Sequence, residues 1–305
     1  MPEQPSALFE LELSLPDSRL ANIATRLVGF RARYERIRQE LLLLLDREGL
    51  EQWSKAYYGA HVAVLDTVLD RYPLLVFHGD VGTGKTVTAE ASANTIANEL
   101  QKQGMLFKLS TRVRGGGNVG EMSYLINQAF DVVTKVAEQS KLSFLIIDEA
   151  DFLASTRNAS QSHHEDKVAV NTLIQKINDV RRFNGSVLVI LCTNRYNVLD
   201  PAIIRRAAYI EEFRRPNDAE RRELLTLDCQ GLGFSSSLID ELVLITGPLG
   251  PYKLCYSYSD IRTRLLPDAL AQAYPTRKVC GEDFHAAVSK IPPSPTIDKL
   301  DRQKS

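Results

Sequence analysis

Two periodicities alternate along this chain, and the switches between them predict its elements. From residue 74 onward, short apolar runs of strand length occupy 74–78, 105–111, 142–147 and 187–193. Between them, 86–103, rich in Ala, Glu, Asn and Leu, and the segments 123–139 and 166–182 read as helices. Runs such as Leu188-Val189-Ile190-Leu191 show no polar alternation, which predicts strands covered on both faces. Strands alternating with helices predict a parallel, doubly wound sheet. Upstream, 21–46 reads as an interrupted helical region, and after Gly49 the segment 51–70 is helical again up to Pro73. Beyond Phe213 the pattern changes to four short helices at 218–228, 236–246, 260–273 and 282–290, separated by Gly, Pro and Ser. The expected organisation is a lead-in over 1–23, a large α/β domain over 24–215 and a small helical domain over 216–291. The domains join near Arg214-Arg215-Pro216, and a tail over 292–305 opens with Pro292-Pro293-Ser294-Pro295.

Composition narrows the class without naming a chemistry. With 305 residues, 44% hydrophobic and 25% charged, the chain can bury a sizeable core. A formal net charge of −1 gives no global reason to expect a nucleic-acid or membrane-surface protein. The apolar run 41–45 falls far short of the roughly 20 residues of a spanning helix. Met1-Pro2-Glu3-Gln4 lacks the basic and apolar regions of a secretion signal. Cys192, Cys229, Cys255 and Cys280 form no C-x-x-C pair, as expected of thiols in a reducing cytoplasm.

The chemistry begins between the first of those strands and its helix. Gly79-Asp80-Val81-Gly82-Thr83-Gly84-Lys85-Thr86 fits the phosphate-loop pattern G-x-x-x-x-G-K-[ST]. Glycines let backbone N–H groups close around phosphate oxygens with no Cβ in the way. The following helix points its positive end at the same oxygens. Lys85 is suited to the β- and γ-phosphates and the Thr86 hydroxyl to Mg²⁺, so the expected ligand is ATP with Mg²⁺. Phe144-Leu145-Ile146-Ile147-Asp148-Glu149 is an apolar strand ending in two carboxylates. Asp148 suits the acid that holds hydrated Mg²⁺ through water, and Glu149 the base that polarises the attacking water. Asn194, closing the next strand, is suited to orient that water. In 200–207, an aspartate before a proline starts a short helix, and Arg205 and Arg206 fall near its end. Such a pair is either a solvated face or an arginine finger for the γ-phosphate of a neighbouring subunit.

The ordered set 79–86, 144–149, 193–194 and 200–207, followed by short helices, resembles the AAA+ ATPases over about residues 24–290. The resemblance implies an α/β AAA+ P-loop fold: a parallel five-stranded sheet with flanking helices, plus a small C-terminal helical lid. It implies Arg206 as the finger and Arg205 as a second arginine acting in trans. It also implies that Leu27-Val28-Gly29-Phe30 lies along the adenine, with Val28 in the binding set. Arg262, in Ser259-Asp260-Ile261-Arg262, stands where the family often places a phosphate-sensing arginine, with Arg264 close by.

Finer details are similar to one branch of that family. Asp148-Glu149-Ala150-Asp151-Phe152-Leu153, the polar stretch after it, and 170–177 resemble the HORMA-domain remodellers, the branch of the meiotic pachytene-checkpoint ATPase. Arg206-Ala207 and Leu266-Pro267 match as well. This resemblance implies a homo-hexamer that pulls a flexible terminus of a HORMA-domain protein into a central pore and frees its bound partner. About 70 residues precede the phosphate-loop strand, where the eukaryotic members carry a larger adaptor domain, and a compact form is expected of bacterial relatives. In those, the HORMA protein activates a cyclic-oligonucleotide synthase in antiphage defence, and the remodeller switches the signal off. The first pore loop is expected around Asn118, Val119 and Gly120, with Asn118-Val119 where the family usually has an aromatic. That departure puts strong, processive threading in question, and a few brief pulls on a marginal segment would suffice for release. A second polar loop, 155–166, contains His163-His164-Glu165, too few ligands for a metal site. A different class, the nucleic-acid-associated AAA+ proteins (helicase loaders, clamp loaders, transposition helpers), shares this core. The near-zero net charge and the lack of a helix-turn-helix or zinc pattern speak against it.

Overall fold

The structure, a computed structural model, describes residues 8–109, 121–139, 141–150 and 163–296. Asn118, Val119 and Gly120 of the expected first pore loop, and residues 155–162 of the second, lie outside the described residues. The chain divides into two compact units, one from 1–24, 30–78 and 86–212, the other from 25–29, 79–85 and 213–305.

The first unit is built on a sheet of β1(Phe9–Leu15), β2(Leu74–Gly79), β3(Gly104–Leu109), β4(Leu142–Ile147), β5(Val187–Thr193) and β6(Tyr209–Phe213). Their order is β1-β3-β4-β5-β2-β6. β3 pairs parallel with β4, β4 with β5, and β5 with β2, opposing Leu106 to Phe144, Leu145 to Val189 and Val76 to Leu191. The expected parallel five-stranded sheet is therefore corrected to a six-stranded mixed one. β1, from the segment expected to be a lead-in, lies antiparallel to β3, with Leu13 opposite Leu106. The physical reason is the strict alternation Phe9-Glu10-Leu11-Glu12-Leu13-Ser14-Leu15. An amphipathic strand of this kind covers a hydrophobic sheet edge while keeping one face polar.

The central strands have no such alternation. Leu188, Val189, Ile190 and Leu191 are all fully buried, as are Phe144, Leu145, Ile146 and Ile147, so both faces of the sheet are covered. Between β1 and β2 come α1(Ser18–Arg26), α2(Phe30–Leu45), α3(Arg47–Tyr58) and α4(Val64–Leu69). α5(Lys85–Glu99), α6(Glu121–Ala137), α7(His163–Asp179) and the single turn α8(Pro201–Ile204) alternate with the strands. One face of the sheet is closed by α6 through Ile126, Phe130 and Val133 and by α7 through Val170, Leu173 and Ile177. These apolar residues recur at three- and four-residue spacing, which puts each set on one helix face.

The second unit is helical: α9(Asp218–Asp228), α10(Ser236–Ile245), α11(Tyr258–Asp260), α12(Leu266–Ala273) and α13(Gly281–Lys290). Local chemistry sets the starts. Asn217 and Glu220 form a reciprocal capping box at α9, Ser235 caps α10, and Ser257 with Asp260 box α11. The turn Ile261–Leu265 between α11 and α12 is π-helical, just before Pro267, which has no N–H to donate. Leu224, Leu242, Ile261, Leu265, Phe284 and Val288 meet in one core, and Val28 joins them. Residues 292–296, at the start of the expected tail, are held too, with Pro293 buried.

Candidate active site

In the α/β unit, Thr86 stands in the first turn of α5 and Asp148 follows β4, and parallel strand order brings them together. The Thr86 hydroxyl donates to Asp148 Oδ2 at 2.7 Å, while Asp148 Oδ1 accepts the Glu149 N–H at 2.8 Å. Glu149 is exposed and adopts a left-handed backbone, φ +49°. A non-glycine residue held there carries strain of order 1–3 kcal/mol, a feature that clusters at functional sites. The hydrogen bond from the Glu149 amide to the Asp148 carboxylate offsets part of that cost. A hydroxyl beside a carboxylate, both oxygen donors, fits a hard cation such as Mg²⁺.

Lys108 on β3 belongs to the same neighbourhood and escaped the sequence reading. Its ammonium bonds Glu90 Oε1 of α5 at 3.1 Å and lies 3.6 Å from Glu10. Burial works against its charge, but Glu90, Glu10 and Asp148 outweigh burial and raise its pKa above the ordinary lysine value. An apolar strand interrupted by one lysine was the available signal.

Asn194 is half-buried just after β5. At the matching end of β2, His78 stacks on Tyr196 with ring centres 4.3 Å apart. Asp200 caps α8 by accepting the Ala202 N–H at 2.7 Å, with Pro201 next. Beyond it the two arginines separate. Arg205 is exposed. Arg206 is half-buried, its Nε donating to Asn178 Oδ1 at 2.9 Å and its guanidinium 5.2 Å from the centre of the Tyr72 ring.

The loop 79–85 clusters with the helical unit. Gly82 has φ +72°, and a Cβ there would stand 2.6 Å from Ser257 Oγ and 2.8 Å from Ser259 Cβ. Only glycine fits so tight an approach at that backbone angle. The buried Lys85 ammonium donates to the carbonyls of Gly79 at 3.0 Å and Asp80 at 2.7 Å, and the Thr83 hydroxyl also donates to Asp80 O at 2.7 Å. Asp80 itself is gripped by Arg215, a residue noted in the sequence only as part of a domain junction; its Nε donates to Asp80 Oδ2 at 2.7 Å. A left-handed glycine in a loop closed on its own lysine forms a cradle for an anion.

Two sequence candidates are engaged inside the helical unit. Val28 is buried in its core. Arg262 forms a two-pronged pair with Asp228, at 2.6 and 3.0 Å, and donates to the Arg26 carbonyl at 3.1 Å. Arg264 instead bonds Asp260 at 3.0 Å.

Comparison with known proteins adds independent findings. Residues 75–215 match the family described as ATPase family associated with various cellular activities (AAA). CD-NTase-associated protein 6 of Escherichia coli strain KTE188 is 46% identical over 296 residues, which cover 97% of this chain and 99% of that protein. Among solved structures, the E. coli MS115-1 HORMA:CdnC:Trip13 complex contains a chain with TM-score 0.86 and 39% identity, covering 95% of this chain and 97% of that one. Rhizobiales Trip13 matches with TM-score 0.71 and 32% identity, over 94% of this chain and 100% of that one.

Proposed function

This chain belongs to the AAA family of ATPases, in the group that includes CD-NTase-associated protein 6, and on that footing we propose that it remodels a HORMA-domain protein. By partly unfolding that protein it frees a bound cyclic-oligonucleotide synthase and so turns antiphage signalling down. The observation that carries this reading is the likeness, over nearly the whole chain, to a subunit of the HORMA:CdnC:Trip13 complex. The same likeness favours it over a nucleic-acid-associated ATPase. The working form is a homo-hexamer in the cytoplasm, and the helices over 216–291 act as its lid.

ATP with Mg²⁺ supplies the anhydride whose hydrolysis drives the work. Backbone amides of 79–84 and the Lys85 ammonium hold phosphate oxygens. Thr86 and Asp148 hold the cation, Asp148 through water. Glu149, exposed and held at its backbone by Asp148, takes a proton from the attacking water, which Asn194 orients. Arg206, with Arg205 beside it, acts on the γ-phosphate bound by a neighbour, which requires it to leave Asn178. Val28 bears on the base, and Arg262 senses the phosphate once released from Asp228. Asn118, Val119 and Gly120 contact the pulled segment.

The test mixes the purified protein and Mg-ATP with a complex of HORMA protein and synthase, and follows the complex by size-exclusion chromatography. Release of free synthase by the wild type, but not by Glu149→Gln, is expected. A complex that persists equally with both proteins rejects the proposal.

A further inference from the structure

The geometry points to Arg215 as a positioning residue that shapes the phosphate loop through Asp80. Its side chain is 7% exposed, and the guanidinium makes three donations, each 2.7 Å long: Nε to Asp80 Oδ2, Nη1 to the Cys255 carbonyl and Nη2 to the Ser294 carbonyl. One planar group thus binds three separate stretches: the second residue of the phosphate loop, the approach to α11, and the segment beyond α13. The bracket closes on itself. Ser294 donates its N–H at 3.2 Å and its hydroxyl at 2.6 Å to Asp260, which is 2% exposed. Asp260 also accepts the Ser257 N–H at 3.0 Å and the Ser257 hydroxyl at 2.9 Å. From this corner the Ser259 N–H returns to the loop, donating to the Gly82 carbonyl at 3.1 Å.

Asp80 is the residue around which the loop is folded. Its carbonyl accepts from both Lys85 Nζ and Thr83 Oγ1, so the orientation of Asp80 sets where the lysine ammonium stands. Its side chain poses a problem in a site for phosphates, because a carboxylate repels the anion the loop must hold. Arg215 answers both needs. It fixes the carboxylate in one direction by a charge-assisted bond, and it cancels the negative charge from a largely dehydrated position. A lysine there would cancel the charge, but it lacks the fork that spans three acceptors. Because Ser294 supplies one of those acceptors, the segment 292–296 becomes part of the support of the phosphate loop. Arg215 acts through Asp80 and need not touch the nucleotide.

The inference rests on reading 79–86 as the nucleotide's phosphate loop, and the test separates the two. A fluorescent ADP analogue with Mg²⁺ is titrated into dilute full-length wild type, Lys85→Ala, Arg215→Gln, Arg215→Lys, Asp80→Asn and the double variant Asp80→Asn/Arg215→Gln. Hydrogen exchange of the amides of 80–85 is followed in nucleotide-free protein. Arg215→Gln, which removes the ion pair between Arg215 and the Asp80 carboxylate, should weaken binding roughly 10- to 100-fold, as expected for the loss of a charged hydrogen bond. It should also speed exchange in the loop. Arg215→Lys should fall between Arg215→Gln and wild type. The double variant should recover much of the loss, because the charge that Arg215 offsets is gone, and a purely structural brace gives no such rescue. Wild-type affinity in Arg215→Gln overturns the inference, and so does a double variant no better than that single one. Should Arg215→Gln not fold, Arg215→Lys decides by the same comparison, with wild-type affinity and loop exchange overturning the inference. Wild-type affinity in Lys85→Ala would instead remove the reading of the loop itself.

Discussion

Gly79 ends β2 at φ +137°, a backbone angle that residues with a side chain rarely adopt. A Cβ placed there would overlap the Phe213 carbonyl oxygen and stand 2.8 Å from its carbon and 3.0 Å from its nitrogen. The obstacle is backbone, which cannot swing aside as a side chain would. Gly79→Ala therefore combines two costs. Strain at the new residue is of order 1–3 kcal/mol. Moving the chains apart also loses the hydrogen bond from the Asp80 N–H to Phe213 O, now 3.2 Å, worth about 1 kcal/mol. The sum is about 2–4 kcal/mol. Gly59 serves as the comparison: it caps α3 at φ +74°, with nothing among the described residues within 4 Å of its would-be Cβ. Gly59→Ala should therefore cost only the left-handed strain, about 1 kcal/mol. Urea unfolding of both variants, followed by circular dichroism without nucleotide, measures the difference. A loss two to four times larger for Gly79→Ala is expected. Equal losses would refute the close approach as the reason for glycine at this position.

Arg206→Ala should leave nucleotide affinity of the dilute subunit unchanged and lower turnover of the assembled protein by at least about 10³-fold, on the scale of an arginine finger. Phosphate release measured against protein concentration checks this, and normal turnover at assembly concentrations would remove the finger. Glu149→Gln should retain ATP and slow hydrolysis by roughly 10²- to 10⁴-fold, readable as bound ATP after prolonged incubation; rapid conversion to ADP contradicts the assigned base. Burial alone would raise the Asp260 carboxyl, but hydrogen bonds from Ser294 and Ser257 hold it below the ordinary 3.8. A lowered carboxyl contributes stability that is present above 3.8 and lost as pH falls through the lower, folded value. Asp260→Asn should flatten the decline in stability seen below about pH 4; an unaltered acid slope in unfolding experiments would count against the network around Ser294.

What the chain alone determined is local. The phosphate loop, the acid pair after β4, the capped start of α8 and the strands 142–147 and 187–193 are contiguous patterns. Their period, caps and glycines constrain the backbone whatever lies far away. The edge strand β1 reads in the sequence only as a lead-in, although Phe9 to Leu15 alternates, because a lone amphipathic run becomes a strand only beside a partner, and β3 lies some ninety residues on. Only the tertiary structure decided which charges meet. It set Arg215 on Asp80 across 135 positions, Arg206 on Asn178 across 28, and Arg262 on Asp228 across 34. It also set Lys108 among Glu90, Glu10 and Asp148. A charged side chain has no period and tolerates many neighbours in water. Its partner is chosen only when folding removes that water and leaves one geometry in which the charge is still satisfied.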